Sequence, residues 1–572
     1  MFLARRSLVP VVMATGMLLL LTVAGPTATK GDTIPLAEVG RDTPATVFRD
    51  PVGEHLYKLA FAPGEKMVAV GCYEQPVRLL DVTTGKELRR LNHLSIHGFA
   101  FSPDGKYLAT ADHYHDPDRI SLWNPANGAS LRPVKMEPGE AVHHIHFLDA
   151  GTLAAVTRNK QGVCVRLWDV NASKERRRFA VPDIGDAIGN LPWPCAFSAD
   201  HKTFVTAVGR GVIHLFDVAS GKEVKKLVAK KKAAVPGTIL ALVLSPDGSK
   251  LATAEQWSLT VPRGPAAPGA AMAPGPAFRR RPPPPWPRDA NTTRHFVGIS
   301  LWDLVNGQEL SHWEAEAGYS LTFSPDGRTL ASRGTSTLVL WETASGKERH
   351  RVTESRIWSG PKFAIFFQGG KKVVWNEGDG QGRVYDMTGV MRDGQARTVE
   401  LTQLERDRLW DELAGGDASK AFRAVQALSA APGQSVPLIR ERLPRIQGSL
   451  DEKRLAQLLA DLDDKRFAVR EKAERELELF GSRAEPALRK VLSESPSLEV
   501  RRRIEKILPK LDGKIHPELL RVVRSLEVLE NVGSAEAREV LQSLAKGDDL
   551  FGRATEAKRT LERLRSRAGR ER

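Results

Sequence analysis

The sequence predicts two fold classes in one chain: an all-β, seven-bladed β-propeller over residues 45–395, then an all-α domain over 400–572. Three observations predict it. A strand–turn–strand pattern returns seven times. A third strand closing on an aromatic or aliphatic residue and an acid or asparagine follows each copy. From about Leu401 the apolar period changes from two to 3.6. Length agrees, because 572 residues exceed the ~100–200 of a single domain. So does composition, since ten of the 11 tryptophans precede residue 400. With 41% apolar and 27% charged residues the chain can bury a core, which excludes a disordered polyelectrolyte. Three scattered cysteines (Cys72, Cys164, Cys195) exclude a disulfide framework or a zinc finger.

The first residues read as an address. Arg5 and Arg6 precede an apolar stretch from Val9 to Ala24, and Thr22 and Ala24 are small residues placed for cleavage after Ala24. At about 16 residues the stretch is shorter than the ~20 of a spanning helix. The expectation is therefore a signal peptide over 1–24, a linker over 25–44, and export to the periplasm or medium. An inner-membrane anchor formed by an uncleaved signal is the alternative. No later run is long and apolar enough to span a membrane.

The repeats begin at Leu59, Phe99, Ile145, Cys195, Leu242, Leu321 and Ala364, at intervals of 40, 46, 50, 47, 79 and 43 residues. Each couples two alternating strands through a Pro/Asp/Gly-type turn, as in LTFSPDGRTLAS. The third strands start at Val77, Ile120, Val165, Ile213, Ile299, Leu338 and Arg383, and glycine-bearing turns lead to a fourth. A lone four-stranded sheet cannot cover its own faces, so seven copies imply a closed ring of blades. Phe48 stands 13 residues before Phe61, as Leu88 stands 13 before Phe101. That register predicts that Thr46–Arg49 supplies the outer strand of the last blade.

These residues resemble the WD40 family over about residues 45–390. Trp-Asp stands at Trp168-Asp169 and Trp302-Asp303, with variants such as Trp123-Asn124 and Trp341-Glu342. The family's Gly-His dipeptide is nearly absent, Asn92-His93 being closest, so its buried His–Asp hydrogen-bond network is not carried over.

The 79-residue interval holds an insertion, 258–296, between the second and third strands of blade five. It contains ten prolines and six arginines against one acid, including Arg279, Arg280, Arg281 and Trp286. Proline removes backbone donors and favours extended structure, so the segment reads as a basic loop and a candidate polyproline ligand. The resemblance places it on the same face as His93, His97, His113, His115, Asp116, Asp118, His143 and His144. His and Asp in range of one another are candidate metal ligands, with His113, His115, Asp116, Asp118, His143 and His144 the set considered. Drawn from several loops they lack fixed ligand spacing, and they read more simply as an exposed polar rim.

The tail reads as amphipathic helices. Val469, Arg470, Ala473 and Leu477 are answered 31 residues on by Val500, Arg501, Ile504 and Leu508. Helix pairs at that interval suggest an α-solenoid. The stretch resembles HEAT-like repeats over about 415–546, and the whole chain resembles exported bacterial WD40 proteins with helical C-terminal segments. That resemblance implies architecture and no catalytic residue.

Net charge is +15, yet the excess is spread out and concentrates only in the insertion and at Arg501–Arg503. A nucleic-acid reader needs a basic stripe with stacking aromatics or a reading helix, which argues against nucleic acid. An anionic envelope surface or a protein partner is the expectation. No phosphate loop, HExxH, GxSxG or CxxC occurs, and no cofactor is implied. The expected function is a non-catalytic, exported protein-interaction scaffold. The alternatives are an enzyme or metal-binding propeller using the histidine-bearing face of blades two and three, and nucleic-acid binding through the insertion.

Overall fold

The computed structural model describes residues 36, 45–48, 56–72, 75–94, 98–111, 119–182, 194–208, 211–228, 237–261, 292–316, 318–334, 336–354, 362–376, 381–389, 391–392, 395–396, 398–445, 452–480, 484, 487–488, 491–492, 496–511, 516–547 and 552–571. Seven antiparallel sheets form a closed β-propeller. The innermost strands are Leu56–Phe61, Gly98–Phe101, Ala141–Phe147, Cys195–Phe197, Thr238–Leu244, Ser320–Phe323 and Ala364–Phe367. Blade seven takes its outer strand from Ala45–Phe48, which pairs with Gly382–Asp386 through Ala45↔Val384 and Thr46↔Arg383. The start of the ring thus completes its last sheet, and no blade is left with an open partner.

Closure is also visible in the core. Each of the seven blade junctions holds its own apolar cluster, because strand side chains alternate and each sheet buries both faces against neighbours. The junction of blades seven and one joins Phe363, Phe367 and Val374 to Leu56, Leu59 and Val70, with Phe61 and Phe367 stacked at 4.8 Å. Asn376 crosses the same junction to donate to Leu56 O at 3.1 Å. In blade two the outer strand breaks into Ala129–Ser130 and Val134–Lys135, since Pro133 lacks the N–H a ladder needs.

The turns repeat a local chemistry. The residue closing the third strand caps the next turn, an acid in most blades and Asn124 in blade two: Asp81 Oδ1 accepts from Thr84 N at 2.6 Å, and Asp217 Oδ1 from Ser220 N at 2.7 Å. Gly221 follows at φ 70°, and a Cβ there would come within 2.8 Å of Phe179, so the position admits glycine alone.

A second repeated device is an indole–hydroxyl bond across the sheets of blades two, five and six. Trp123 donates to Thr110 at 3.0 Å, Trp302 to Thr253 at 3.1 Å and Trp341 to Ser332 at 2.8 Å. Ala155 occupies the equivalent place in blade three, and the buried Trp168 Nε1 has no hydrogen-bond partner. An orphaned buried donor is destabilising.

Among the described residues nine helices follow: α1 Gln403–Ala414, α2 Ala418–Ser429, α3 Pro432–Arg442, α4 Glu452–Asp461, α5 Phe467–Phe480, α6 Leu498–Leu511, α7 Pro517–Val532, α8 Ala535–Lys546 and α9 Arg553–Glu571. The packing differs from a continuous solenoid over 415–546. Helices α1–α3 and α7–α9 share one apolar core, whereas α4, α5 and α6 build another. The 31-residue interval seen in sequence belongs to α5 and α6, which pack together. Helices α1 and α2 instead pack on α7, far along the chain.

The helices dock on the face of the ring that carries the first-to-second and third-to-fourth strand turns, here the lower face. Glu342, in the Trp-Glu variant of blade six, accepts from Arg524 Nε at 2.8 Å and Nη2 at 2.7 Å, and from Arg349 Nη2 at 3.2 Å. Arg349 forks onto Glu527 at 2.8 and 2.9 Å, and its guanidinium lies 5.4 Å from the Phe422 ring. Arg328 donates to Glu530 at 2.7 Å, Glu556 at 2.8 Å and Thr560 at 3.0 Å. Gln426 donates to Met387 O at 3.1 Å in blade seven, and Arg559 pairs with Asp247 of blade five at 3.5 Å. Burial alone would raise the Glu342 carboxyl, but Arg349 and Arg524 more than offset it and hold it at about 2.

Two stability measurements check these contacts. Arg524→Ala leaves Glu342 with Arg349 as its one guanidinium partner and strands the carbonyls of Leu413 and Gly415, so urea denaturation is expected to show a loss of about 1–3 kcal/mol. Ala155→Ser supplies the missing acceptor for Trp168, with an expected gain of about 1 kcal/mol.

Candidate functional site: the channel and upper face of the ring

The innermost strands run down the central channel. In blades one, three and five their pairing slips at one place, immediately before Lys58, His144 and Ala241. Such bulges re-aim the side chain that follows. Lys58 acts electrostatically on His144 of blade three and on Cys195 of blade four. Blades one and four lie across the ring from one another, so this coupling runs through the channel. Burial, then the neighbouring charges of His146 and Lys58, depress His144 from its ordinary 6.5 to about 3. Burial and His201 take His146 to about 4. Burial pushes the Cys195 thiol up to about 12 despite Lys58, so it is a poor nucleophile at neutral pH.

His146 stacks on Phe197 at 5.2 Å and meets His201 edge-on at 5.3 Å. His201 stands where other blades place a turn glycine, at φ 59°, and its Nδ1 bonds Leu148 O of blade three. That bond to the neighbouring blade offsets the left-handed backbone.

The upper face carries a projecting ribbon. In blade five, Lys250–Val261 and Thr292–Asp303 pair along their whole length, to Val261↔Thr292, whereas the outer strand reaches only Val297. The pairs from Trp257↔Phe296 outward therefore stand beyond the sheet. Trp257 stacks on Phe296 at 6.2 Å and closes over Gly298, where a Cβ would meet its indole at 2.8 Å. The strands thus extend into both ends of the segment taken from sequence as an insertion at 258–296. Arg279, Arg280, Arg281 and Trp286 lie outside the described residues, in the chain joining the two tips.

The metal candidates separate. His113, His115, Asp116, Asp118 and His97 lie outside the described residues. His144 lies half-buried on the innermost strand of blade three, where the Lys58 charge acts on it. Among the described residues no three His, Cys, Asp or Glu side chains are placed to hold a metal ion.

Other polar clusters are structural by geometry. In blade five Ser300 Oγ donates to Glu309 at 2.8 Å and lies 2.9 Å from His312 Nδ1, which is itself 3.7 Å from Glu309. Hydroxyl and carboxylate face the same ring nitrogen, so the imidazole cannot relay a proton between them as in a nucleophilic triad. In blade three Arg166 is buried among Glu140, Glu137 and Glu175, and Arg178 pairs with the last two.

In blade two the indole bond continues, because Thr110 Oγ1 lies 3.2 Å from His93 Nδ1. Trp123, Thr110 and His93 thus form one polar chain between the outer strand of blade one and blade two. It gives His93 a structural role instead of a place at a metal. A family model described as WD domain, G-beta repeat, matches residues 85–124. The match ends at Asn124, the last residue of blade two's third strand. It runs from the Gly85 turn through the outer strand of blade one and the first three strands of blade two, and so contains the whole Trp123–Thr110–His93 chain. The remaining blades repeat the strand order of this WD40-like unit with different polar residues. No curated protein matches the sequence.

Both channel histidines are neutral in the fold and gain protons on unfolding. They contribute stability that is full above 6.5 and is lost as pH falls from 6.5 toward 4 and 3. The melting temperature is therefore expected to drop between pH 7 and 5, as stability falls by about 1–2 kcal/mol per histidine at pH 5. A calorimetric pH series on His144→Gln with His146→Gln should flatten that limb.

Proposed function

We propose that this protein is an exported, non-catalytic scaffold that binds protein partners through the upper face of its ring, with the helical domain as a second surface. The observation that carries the reading is the docking of the helices. Their contacts fall on the lower turns of blades five to seven and the outer strand of blade six. The blade-five ribbon projects from the opposite end. WD40-like rings commonly serve as interaction platforms, and a rigid ring positions loops without needing a reactive group.

Export rests on the Arg5-Arg6 pair and the apolar stretch to Ala24. Among the described residues no helix is long and apolar enough to cross a membrane. The basic insertion suits an acidic protein partner or an anionic envelope surface.

The test is affinity capture of the tagged mature chain from its own envelope fraction after crosslinking, with a variant lacking 262–291 alongside. A partner recovered in near-stoichiometric amount by the intact chain and lost from the deletion supports the reading. Equal recovery by both assigns binding elsewhere, and a purified chain that still begins at Met1 would remove the export claim.

A further inference from the structure

The outer strands of the ring share an irregularity. In blades one, three, four, five and six the outer strand carries one residue more than its partner, just past the lower turn. The extra residues are Leu88, Arg176, Val224, Leu310 and Arg349. A bulge re-aims the side chain it inserts. In blade six that side chain anchors the helical domain. Arg349 is 2% exposed, forks onto Glu527 of α7 and lies against Phe422 of α2, a helix that packs on the outer strand Lys347–Thr353. In blade three Arg176 stays within its own sheet, on Asp169 at 2.6 Å and Thr152 at 2.9 Å.

Blades four and five fill the same position with aliphatic side chains that stay in solvent. Val224 is 60% exposed and Leu310 50%. Val305, in the lower turn of blade five, is 76% exposed. Lys225 ties that turn to blade four by donating to the carbonyls of Leu304 and Val305, each at 2.8 Å, and so brings Val224, Val305 and Leu310 to one corner. Val228, also exposed, continues the row along the outer strand of blade four. Single exposed aliphatics are ordinary, whereas a contiguous group marks a contact surface. The exposed Lys222 and Lys226 flank it and make no ion pair among the described residues.

We propose that the outer corner of blades four and five docks an amphipathic helix of a partner protein, as blade six docks α2. Its apolar stripe covers Val224, Val305 and Leu310, and acidic side chains on its flank meet Lys222 and Lys226. Two observations name this occupant. The bulge position is one that helices of this chain already cover in blade six, and the corner adjoins that interface, because α9 reaches the lower turn of blade five through Arg559 and Asp247 at 3.5 Å. The lysines without ion pairs set the sign of the partner's charge. A helix laid into an apolar surface is held by anchors one turn apart, which a row of separate aliphatic side chains suits. The corner lies away from the ribbon and does not rest on the upper-face reading.

Fluorescence anisotropy with the full chain tests it. The probe is a labelled amphipathic peptide of leucine, alanine and glutamate, about 20 residues long so that it is helical alone, and a counterpart carries lysine for glutamate. The expected result is saturable one-site binding of the glutamate peptide. It should weaken roughly tenfold or more when Val224→Ser and Leu310→Ser are combined, and Lys226→Glu should turn the preference toward the lysine counterpart. Leu404→Ser, which removes an exposed leucine on α1, should leave the affinity unchanged. All these side chains are exposed, so the melting temperature should hold. The variant lacking 262–291 should bind the peptide like the intact chain, which separates this test from that of the upper face. No saturable binding by the wild-type chain, or equal affinity in the double variant, overturns the proposal. Sedimentation showing a wild-type dimer that the double variant loses would assign the corner to a second copy and overturn it as well.

Discussion

The Glu342 carboxylate, shared between Arg349 of the ring and Arg524 of the helices, decides how the two domains meet. Buried ion pairs gain little net energy over apolar packing, because desolvation consumes most of the Coulombic attraction. What they add is geometry. A guanidinium fork satisfied by one carboxylate and two backbone carbonyls accepts a single docking register, and Arg524 is held in this way by Glu342, Leu413 and Gly415. Apolar contact is supplied beside it by Phe422, which packs into the cluster of blades six and seven. Area and orientation thus come from different residues, and together they commit the lower face to the helices.

The ring was legible because its information is local and periodic. Alternation, turn chemistry and a steady interval describe each blade within about 45 residues, and the offset of Phe48 from Phe61 reported closure before any contact was known. The junction was not legible, because Arg349 and Glu527 are 178 residues apart and no period links them. One trace of it exists in the sequence. Blade six ends its third strand on glutamate, not aspartate, and the longer side chain reaches out of its own turn to the helices while Ser345 still donates to it at 2.5 Å. How the helices pack was not legible for a related reason. A 31-residue similarity is local, whereas the core of α1–α3 with α7–α9 is assembled across the α4–α6 segment.

The candidate site was legible only in part. His143 and His144 stood out as neighbours in sequence, but which of them enters the channel depends on a one-residue slip in pairing that leaves no compositional mark. Lys58 was missed altogether. A single lysine in an alternating strand looks like a solvated residue, and only ring closure turns that strand edge toward blades three and four.

Uneven blades follow from the same ring. Because each sheet is stabilised at two junctions, a blade can lose one internal hydrogen bond without losing its place, as blade three does with Ala155 opposite Trp168. The family model matches residues 85–124, although all seven sheets share the strand order found there. Polar positions released from the internal relay become available for other work. Glu342 serves the helices, His201 braces a neighbouring blade, and the inner-strand position held by Ala241 in blade five is Lys58 in blade one and His144 in blade three. The apolar junctions preserve the annulus, and the departures from the repeat mark where this chain does something the repeat alone does not require.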